Sequence, residues 1–160
     1  MLENLERIVR RFQASDKQTR LELLLDYSRK LPDLPERFHA ARAAGLNMVT
    51  ECQSPVFLYL ELEGDGVGLH ADAPREAPTV RGFVSLIAKG IRGASPAAVG
   101  QLPSDLLEQL GLGEALGMTR LQGLSAVVGR VRRMGDELEI KRVRGSESEA
   151  AGGPEGQSRM

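Results

Sequence analysis

The single cysteine of the chain, Cys52, is the residue with the clearest chemical potential. It stands in the stretch Glu51-Cys52-Gln53-Ser54-Pro55, between two short apolar runs. Proline fixes φ and lacks an N–H, so Pro55 suits the first position of a strand and the cysteine falls in the loop before it. A cysteine that only fills a core belongs in a helix stripe or a strand face, and the polar neighbours of Cys52 argue against that role. The placement predicts a reactive thiol.

A metal site is a poor fit to this thiol. Zinc and iron–sulfur sites collect several ligands, and the chain offers one cysteine and two histidines, His39 and His70, far apart in the sequence. A single cysteine also cannot form a disulfide within the chain, which fits a reducing compartment. The sequence therefore predicts no metal site.

Two kinds of thiol chemistry stay open. A cysteine–histidine enzyme needs an imidazole beside the thiol, and His70 is expected on a strand close to the cysteine loop. A sulfur carrier needs only the thiol, because a thiolate can attack an external persulfide and keep its outer sulfur as S–SH. Nothing in the sequence marks an oxyanion hole, which favours the carrier.

Helices are predicted on both sides of the cysteine loop. Apolar residues at helical spacing predict helices over 2–12 and from an Asp16 cap to Pro32. After the loop, helical spacing returns over 80–91, and a longer helix follows a Thr119 cap. Shorter helical pieces begin at the caps Ser95 and Ser104-Asp105.

A small antiparallel sheet is predicted between these groups of helices. Residues 56–63 alternate in polarity, Gly64-Asp65-Gly66 is typical of a tight hairpin turn, and residues 67–71 return as a second strand. Residues 46–50 are expected to add a short strand. Helices, then a sheet, then helices predict an α+β domain with a small antiparallel sheet packed against several helices.

Charge and composition exclude several classes of partner. The 160 residues carry a net charge of −1 with a pI near 6.2, which gives no reason to expect nucleic acid or an anionic membrane. No run approaches the roughly 18 apolar residues of a membrane span, and the N-terminus lacks the apolar centre of a signal peptide. We expect a cytoplasmic protein with one folded domain, residues 1–144. Residues 145–160 are small, polar and glycine-rich and are predicted to be a disordered tail.

Four motifs in order resemble the SufE family of sulfur acceptor proteins. They are "RKLPDLPE" at 29–36, "NMVTECQSPVFLYL" at 47–60, "TVRGFVSLI" at 79–87 and "MTRLQGLSAVVGRVRR" at 118–133. The similar spacing extends from about residue 5 to residue 134. Many members of that family carry glycine before the cysteine, where this chain has Glu51.

The resemblance implies a fold similar to SufE and to iron–sulfur scaffolds of the IscU type. Cys52 would take persulfide sulfur from a SufS-like cysteine desulfurase, stimulate that enzyme, and pass sulfur to a SufBCD-like scaffold complex. The pyridoxal phosphate belongs to the desulfurase, so no cofactor is expected on this chain. The resemblance implies a sulfur-transfer partner and activator of the desulfurase rather than a stand-alone enzyme.

The charges near Cys52 in the sequence do not favour a thiolate. Residues 43–74 contain no lysine or arginine, and Glu51 is adjacent to the thiol. Activation is therefore expected from residues distant in sequence or from the partner. Arg120 is the candidate stabiliser of the thiolate or persulfide, since it matches the Arg-x-Gln-Gly start of the family's last helix. A basic run is expected to form a solvated face: Arg130, Arg132, Arg133, Lys141, Arg142 and Arg144.

A different functional class remains open beside the carrier. The chain could act as an adaptor that activates the desulfurase without carrying sulfur, although an adaptor would not need a thiol in the loop. The sequence leaves the oligomeric state open between a monomer and a homodimer.

Overall fold

A three-stranded sheet lies between two groups of helices in the computed structural model, which describes the backbone of residues 2–158 and the side chains of residues 2–146. Two helices come first, α1 (Glu3–Gln13) and α2 (Lys17–Lys30), then a 3₁₀ turn (Glu36–Phe38) and α3 (His39–Ala43). The sheet follows as β1 (Met48–Val49), β2 (Val56–Glu63) and β3 (Gly66–Asp72). The remaining helices are α4 (Pro78–Ile91), α5 (Pro96–Gly100), α6 (Leu106–Gln109) and α7 (Met118–Ser158). The predicted α+β class is confirmed.

Side-chain caps fix two of the predicted helix starts. Asp16 accepts a hydrogen bond from the Thr19 N–H at 2.8 Å, and Ser95 accepts one from the Ala98 N–H at 3.1 Å. Thr119, in contrast, is not a cap. The Leu121 N–H already donates to the Gly117 carbonyl at 3.1 Å, so α7 begins at Met118 and Thr119 lies inside its first turn.

The β2–β3 hairpin agrees closely with the prediction from the sequence. β2 has the predicted bounds, β1 and β3 flank it antiparallel, and Glu63 pairs with Gly66 across a two-residue turn. Gly64 in that turn has φ +66°, a left-handed value that glycine adopts without a side-chain clash. The opposite end of β2 pairs with β1, and the cysteine loop is the connection between these two strands.

Both faces of the first half of β2 are buried. Val56 and Leu58 face the main core, whereas Phe57 and Tyr59 form a second cluster with Leu34 on the other face. Phe38 covers this cluster, with its ring centroid 4.8 Å from that of Tyr59. The 3₁₀ turn and α3, which the sequence pattern did not predict as helices, therefore shield the outer face of the sheet.

Helix α4 runs through the centre of the core and lies directly against α2. At the crossing, a Cβ on Gly82 would come within 2.9 Å of the Leu24 carbonyl carbon and overlap its oxygen. Only glycine allows the two backbones to approach this closely. The crossing places Arg81, the residue before Gly82, against the C-terminal end of α2.

Helix α7 packs along the sheet and then continues to Ser158, into the segment for which the sequence predicts a disordered tail. Val127, Val128 and Val131 bury the first part of this helix in the core. The side chains of residues 147–160 lie outside the described part of the chain, so a tail that contributes nothing to the core stays a prediction. None of the helices described between residues 2 and 158 has a stretch long and apolar enough to cross a bilayer.

Candidate functional site

Cys52 lies in the loop between β1 and β2, half-buried against the start of α7. Its side chain packs at the border of the main core. A Cβ placed on Gly123 would lie 3.3 Å from the Cys52 Sγ and 3.6 Å from its Cα, so α7 passes tightly against the loop. The absence of a side chain at Gly123 makes the room in which the thiol sits.

The thiol opens into a cleft of about 260 Å³ with three walls. The first wall is the cysteine loop. The second is the end of the β3–α4 connection with the first turn of α4, residues 76–80, and the third is the start of α7. The residues that line the cleft are Cys52, Gln53, Ser54, Glu76, Ala77, Pro78, Thr79, Val80, Thr119, Arg120 and Gly123.

The helix ends in this cleft favour an anion. Two helices, α4 and α7, begin at its walls, and a helix N-terminus carries partial positive charge from its unpaired N–H groups. Neither helix has an acidic side chain in its first turn, and the residue before α4, Ala77, provides no capping side chain. The tertiary structure therefore brings two helix N-termini and Arg120 to the thiol, together with the carboxylate of Glu76.

Arg120 reaches the same cleft as Cys52, which is the location that a stabilising residue requires. Its side chain is exposed, and neither Arg120 nor Glu76 forms an ion pair with any side chain described in residues 2–146. An exposed cation at the mouth of the cleft can approach an anionic sulfur without first breaking a salt bridge. The role of Arg120 in sulfur chemistry stays a prediction.

The basic run does not form one uniform surface. Arg130 is half-buried and donates from Nη2 to the Met48 carbonyl at 3.3 Å, which ties α7 to the strand that leads into the cysteine loop. Arg132 is half-buried too, whereas Arg133, Lys141, Arg142 and Arg144 are exposed. Part of the predicted solvated face is therefore structural.

Neither histidine lines the Cys52 cleft. His70 lies on β3, where its Nε2 is 2.6 Å from a Glu63 carboxylate oxygen and 3.2 Å from a Glu61 oxygen. The guanidinium of Arg37 pairs with the same Glu61 oxygen. Among the described residues, Glu61, Glu63 and His70 place three potential metal ligand atoms within 4.8 Å of one another. The Arg37 contact accounts for this cluster as an ion-pair network, and the cysteine–histidine arrangement is not formed.

A larger groove, of about 740 Å³, lies between α1 and residues 98–109. Its lining residues are mainly aliphatic and include no thiol, hydroxyl or imidazole. The chemistry that the sequence can support is in the smaller cleft.

The second wall of the cleft is not apparent from the sequence. Residues 76–80 lie more than twenty positions after Cys52 in the sequence and overlap the Pro-Arg-Glu-Ala-Pro stretch of residues 74–78, which carries no recognisable motif. A signal was present in the motif "TVRGFVSLI" that begins at Thr79. This motif predicts the helix, but it does not show that the first turn of the helix lies against the cysteine loop.

Adding a methyl group at Gly123 should increase the exposure of the thiol. The new Cβ of Gly123→Ala would press on Cys52 at 3.3 Å, and the loop yields more easily than the packed helix. We expect alkylation of the free protein by iodoacetamide to accelerate about twofold or more. The matched control is Gly129→Ala on the same helix, where a Cβ meets nothing within 4 Å. An unchanged rate in Gly123→Ala would mean that the loop is already open in solution.

Taken together, the fold and the cleft define a class: a small α+β protein with one accessible thiol held where two helices begin. Comparison with known proteins gives the family. The SufE family, described as an Fe-S metabolism associated domain, matches residues 6–134. The chain belongs to the SufE family, and its role lies in iron–sulfur metabolism.

Individual relatives agree with this assignment. An uncharacterized SufE-like protein of Mycobacterium tuberculosis is 39% identical over 130 residues, which cover 81% of this chain and 89% of the relative. An uncharacterized SufE-like protein of Synechocystis is 35% identical over 121 residues, covering 75% of this chain and 72% of the relative. The solution structure of a hypothetical protein from Thermus thermophilus superposes with a TM-score of 0.75 at 33% identity, covering 86% of this chain and 96% of that one.

Proposed function

We propose that this protein is a sulfur acceptor and carrier for iron–sulfur cluster assembly, with Cys52 as the acceptor. The observation that carries the proposal is the lone thiol in a cleft shared with Arg120 and two helix N-termini. The cleft of about 260 Å³ has space for an added sulfur atom beside the thiol. A carrier needs this combination of a nucleophile, room for its cargo and an environment that favours an anion.

The transfer is a thiol exchange that requires no external oxidant. The Cys52 thiolate attacks the outer sulfur of a donor persulfide, a new S–S bond forms, and the donor's own S–S bond breaks. The inner sulfur of the donor, which belongs to its own cysteine, leaves as a thiolate. It takes up a proton equivalent to the one that Cys52 lost. The protein then holds Cys52–S–SH, whose outer sulfur can be passed to a thiol acceptor by the same exchange.

The donor in this proposal is a cysteine desulfurase of the SufS type, which carries its own pyridoxal phosphate. The consumer is an iron–sulfur scaffold complex of the SufBCD type, in the cytoplasm. The chain acts as a transfer partner and activator of the desulfurase and needs no cofactor of its own. Persulfide formation and desulfurase turnover are therefore the two quantities that an experiment must separate.

The test is incubation with a cysteine desulfurase and L-cysteine, followed by intact and peptide mass measurement. The proposal expects one added sulfur atom on the peptide that contains Cys52, removable by a thiol reductant. Desulfurase turnover should rise in the same mixture. An unmodified peptide together with a stimulated desulfurase would identify the chain as an adaptor and overturn the carrier proposal.

Arg120→Ala should slow sulfur acceptance. Loss of an exposed cation next to the attacking Cys52 thiolate should lower the thiolate fraction and with it the single-turnover rate of persulfide formation, about three- to tenfold, whereas Arg120→Lys should keep much of the rate because it keeps the charge. Arg133→Ala is the matched control, since Arg133 is also exposed on α7 but does not line the cleft. Equal rates for the parent and Arg120→Ala would remove Arg120 from the site.

A further inference from the structure

Arg81, in the first half of α4, is a buried cation with no part in the sulfur exchange itself. Its side chain is 5% exposed. The guanidinium donates from Nε to the Ser28 carbonyl at 3.0 Å, from Nη1 to the Ala73 carbonyl at 2.6 Å and from Nη2 to the Leu31 carbonyl at 3.3 Å. No acidic side chain within residues 2–146 forms an ion pair with it.

The three carbonyl partners explain how Arg81 is tolerated but not why a charge is needed. Ser28 and Leu31 belong to the last turn and cap of α2, where the helix carries partial negative charge. A buried charge without a counter-ion is nevertheless costly, and apolar packing usually stabilises such a position as well or better. The next residue, Gly82, is where the backbones of α2 and α4 come into close contact.

Arg81 is coupled to the second wall of the Cys52 cleft in two ways. It follows Val80, which lines the cleft, and its bond to Ala73 holds the start of the connection that leads to Glu76. Arg81 and Glu76 also line a common cavity on the other side of this connection, together with Pro55 from the end of the cysteine loop. The guanidinium therefore lies behind the wall that faces the thiol.

The charges around this wall show what Arg81 could balance. Two further carboxylates line the cavity beside Arg81, but Asp72 pairs with Arg42, and Asp33 lies 3.5 Å from Arg75. Glu76 has no described ion-pair partner and lines both cavities. On the thiol side, the cleft is lined by one carboxylate, Glu76, and one exposed cation, Arg120. Glu51 adjoins Cys52 in the sequence but does not line the cleft.

We infer that Arg81 is a positioning residue for the sulfur chemistry of Cys52. It fixes the wall formed by residues 76–80, and its buried charge offsets the nearby carboxylates so that an anionic sulfur is favoured in the cleft. This inference rests on the proposed function, since the anion in question is the attacking thiolate or the persulfide that it becomes.

Arg81→Lys and Arg81→Gln form a matched pair for the test, because each side chain keeps one nitrogen donor in place of the guanidinium but only lysine keeps the charge. The readout is the rate of Cys52 alkylation by iodoacetamide across neutral and alkaline pH, with circular dichroism to show that each variant is folded. Arg81→Gln should move the midpoint of the pH–rate profile to higher pH by about half a unit to one unit, and Arg81→Lys should stay near the parent. A folded Arg81→Gln protein with the parent's midpoint would overturn the inference.

Salt provides a second test with the same variant. A charge in the interior is screened far less than surface charges, so the difference in midpoint between the parent and Arg81→Gln should persist between about 0.05 M and 1 M salt. A difference that disappears in 1 M salt would assign the effect to the exposed groups Glu51, Glu76 and Arg120 instead. Because alkylation involves no desulfurase, a failed persulfide measurement with a shifted Arg81→Gln profile would remove the proposed function and leave the role of Arg81 in the thiol environment standing.

Discussion

Cys52→Ser is expected to abolish sulfur acceptance and to leave the fold intact. Serine is close in size to cysteine, and Cys52 lies half-buried in a loop beside the core, so the free energy of unfolding should change by less than about 1 kcal/mol. An unactivated hydroxyl cannot replace a thiolate as the nucleophile toward a persulfide. After incubation with a desulfurase and L-cysteine, the peptide that contains residue 52 should carry added sulfur in the parent and none in the variant.

The same variant separates the carrier from the adaptor. Stimulation of the desulfurase by Cys52→Ser to the level of the parent would show that stimulation does not need the thiol. Together with an unmodified Cys52 peptide in the parent, it would establish the adaptor. Added sulfur on the variant chain at the level of the parent would remove Cys52 from its assigned role. Parent protein alkylated in advance with iodoacetamide is a useful control, because it blocks the thiol without any change of sequence.

Gly82→Ala is expected to have the largest effect on stability. The added Cβ would overlap the Leu24 carbonyl oxygen, which is backbone inside a packed helix and cannot move aside without separating α2 from α4. Overpacking of this kind outweighs the better helix propensity of alanine, and we expect a loss of about 2–3 kcal/mol in the free energy of unfolding. For a chain of this length, the melting temperature should fall by roughly 5–10 °C.

Gly129→Ala is expected to change the stability of the protein in the opposite direction. Gly129 is also inside a helix, but a Cβ there meets nothing within 4 Å, so alanine should stabilise the protein by up to about 1 kcal/mol. Thermal unfolding of the two variants beside the parent measures both signs. Similar melting temperatures for Gly82→Ala and Gly129→Ala would mean that α2 and α4 do not cross as closely as the structure shows.

Much of the fold follows from local sequence signals. Asp16 and Ser95 cap helices because their side chains accept N–H bonds that the helix itself leaves free. The bounds of β2 follow from alternation and from the glycine turn at its end. The predicted cap at Thr119 placed the start of α7 two residues too late. The 3₁₀ turn with α3 was not predicted, because these short segments are stabilised by packing over Phe57 and Tyr59 rather than by their own periodicity.

The sequence by itself determined the family resemblance, the α+β class and the choice of Cys52, because a lone loop thiol and ordered motifs are local properties. Only the tertiary structure decided what surrounds that thiol. Gly123 of α7, the wall at residues 76–80 and the buried Arg81 come from separate parts of the chain, and no local pattern encodes their convergence. The physical reason is that the burial of a side chain, the charges around it and the position of a helix end all depend on how the helices and strands pack against one another. That packing is set by contacts between distant residues, such as the contact of Gly82 with Leu24.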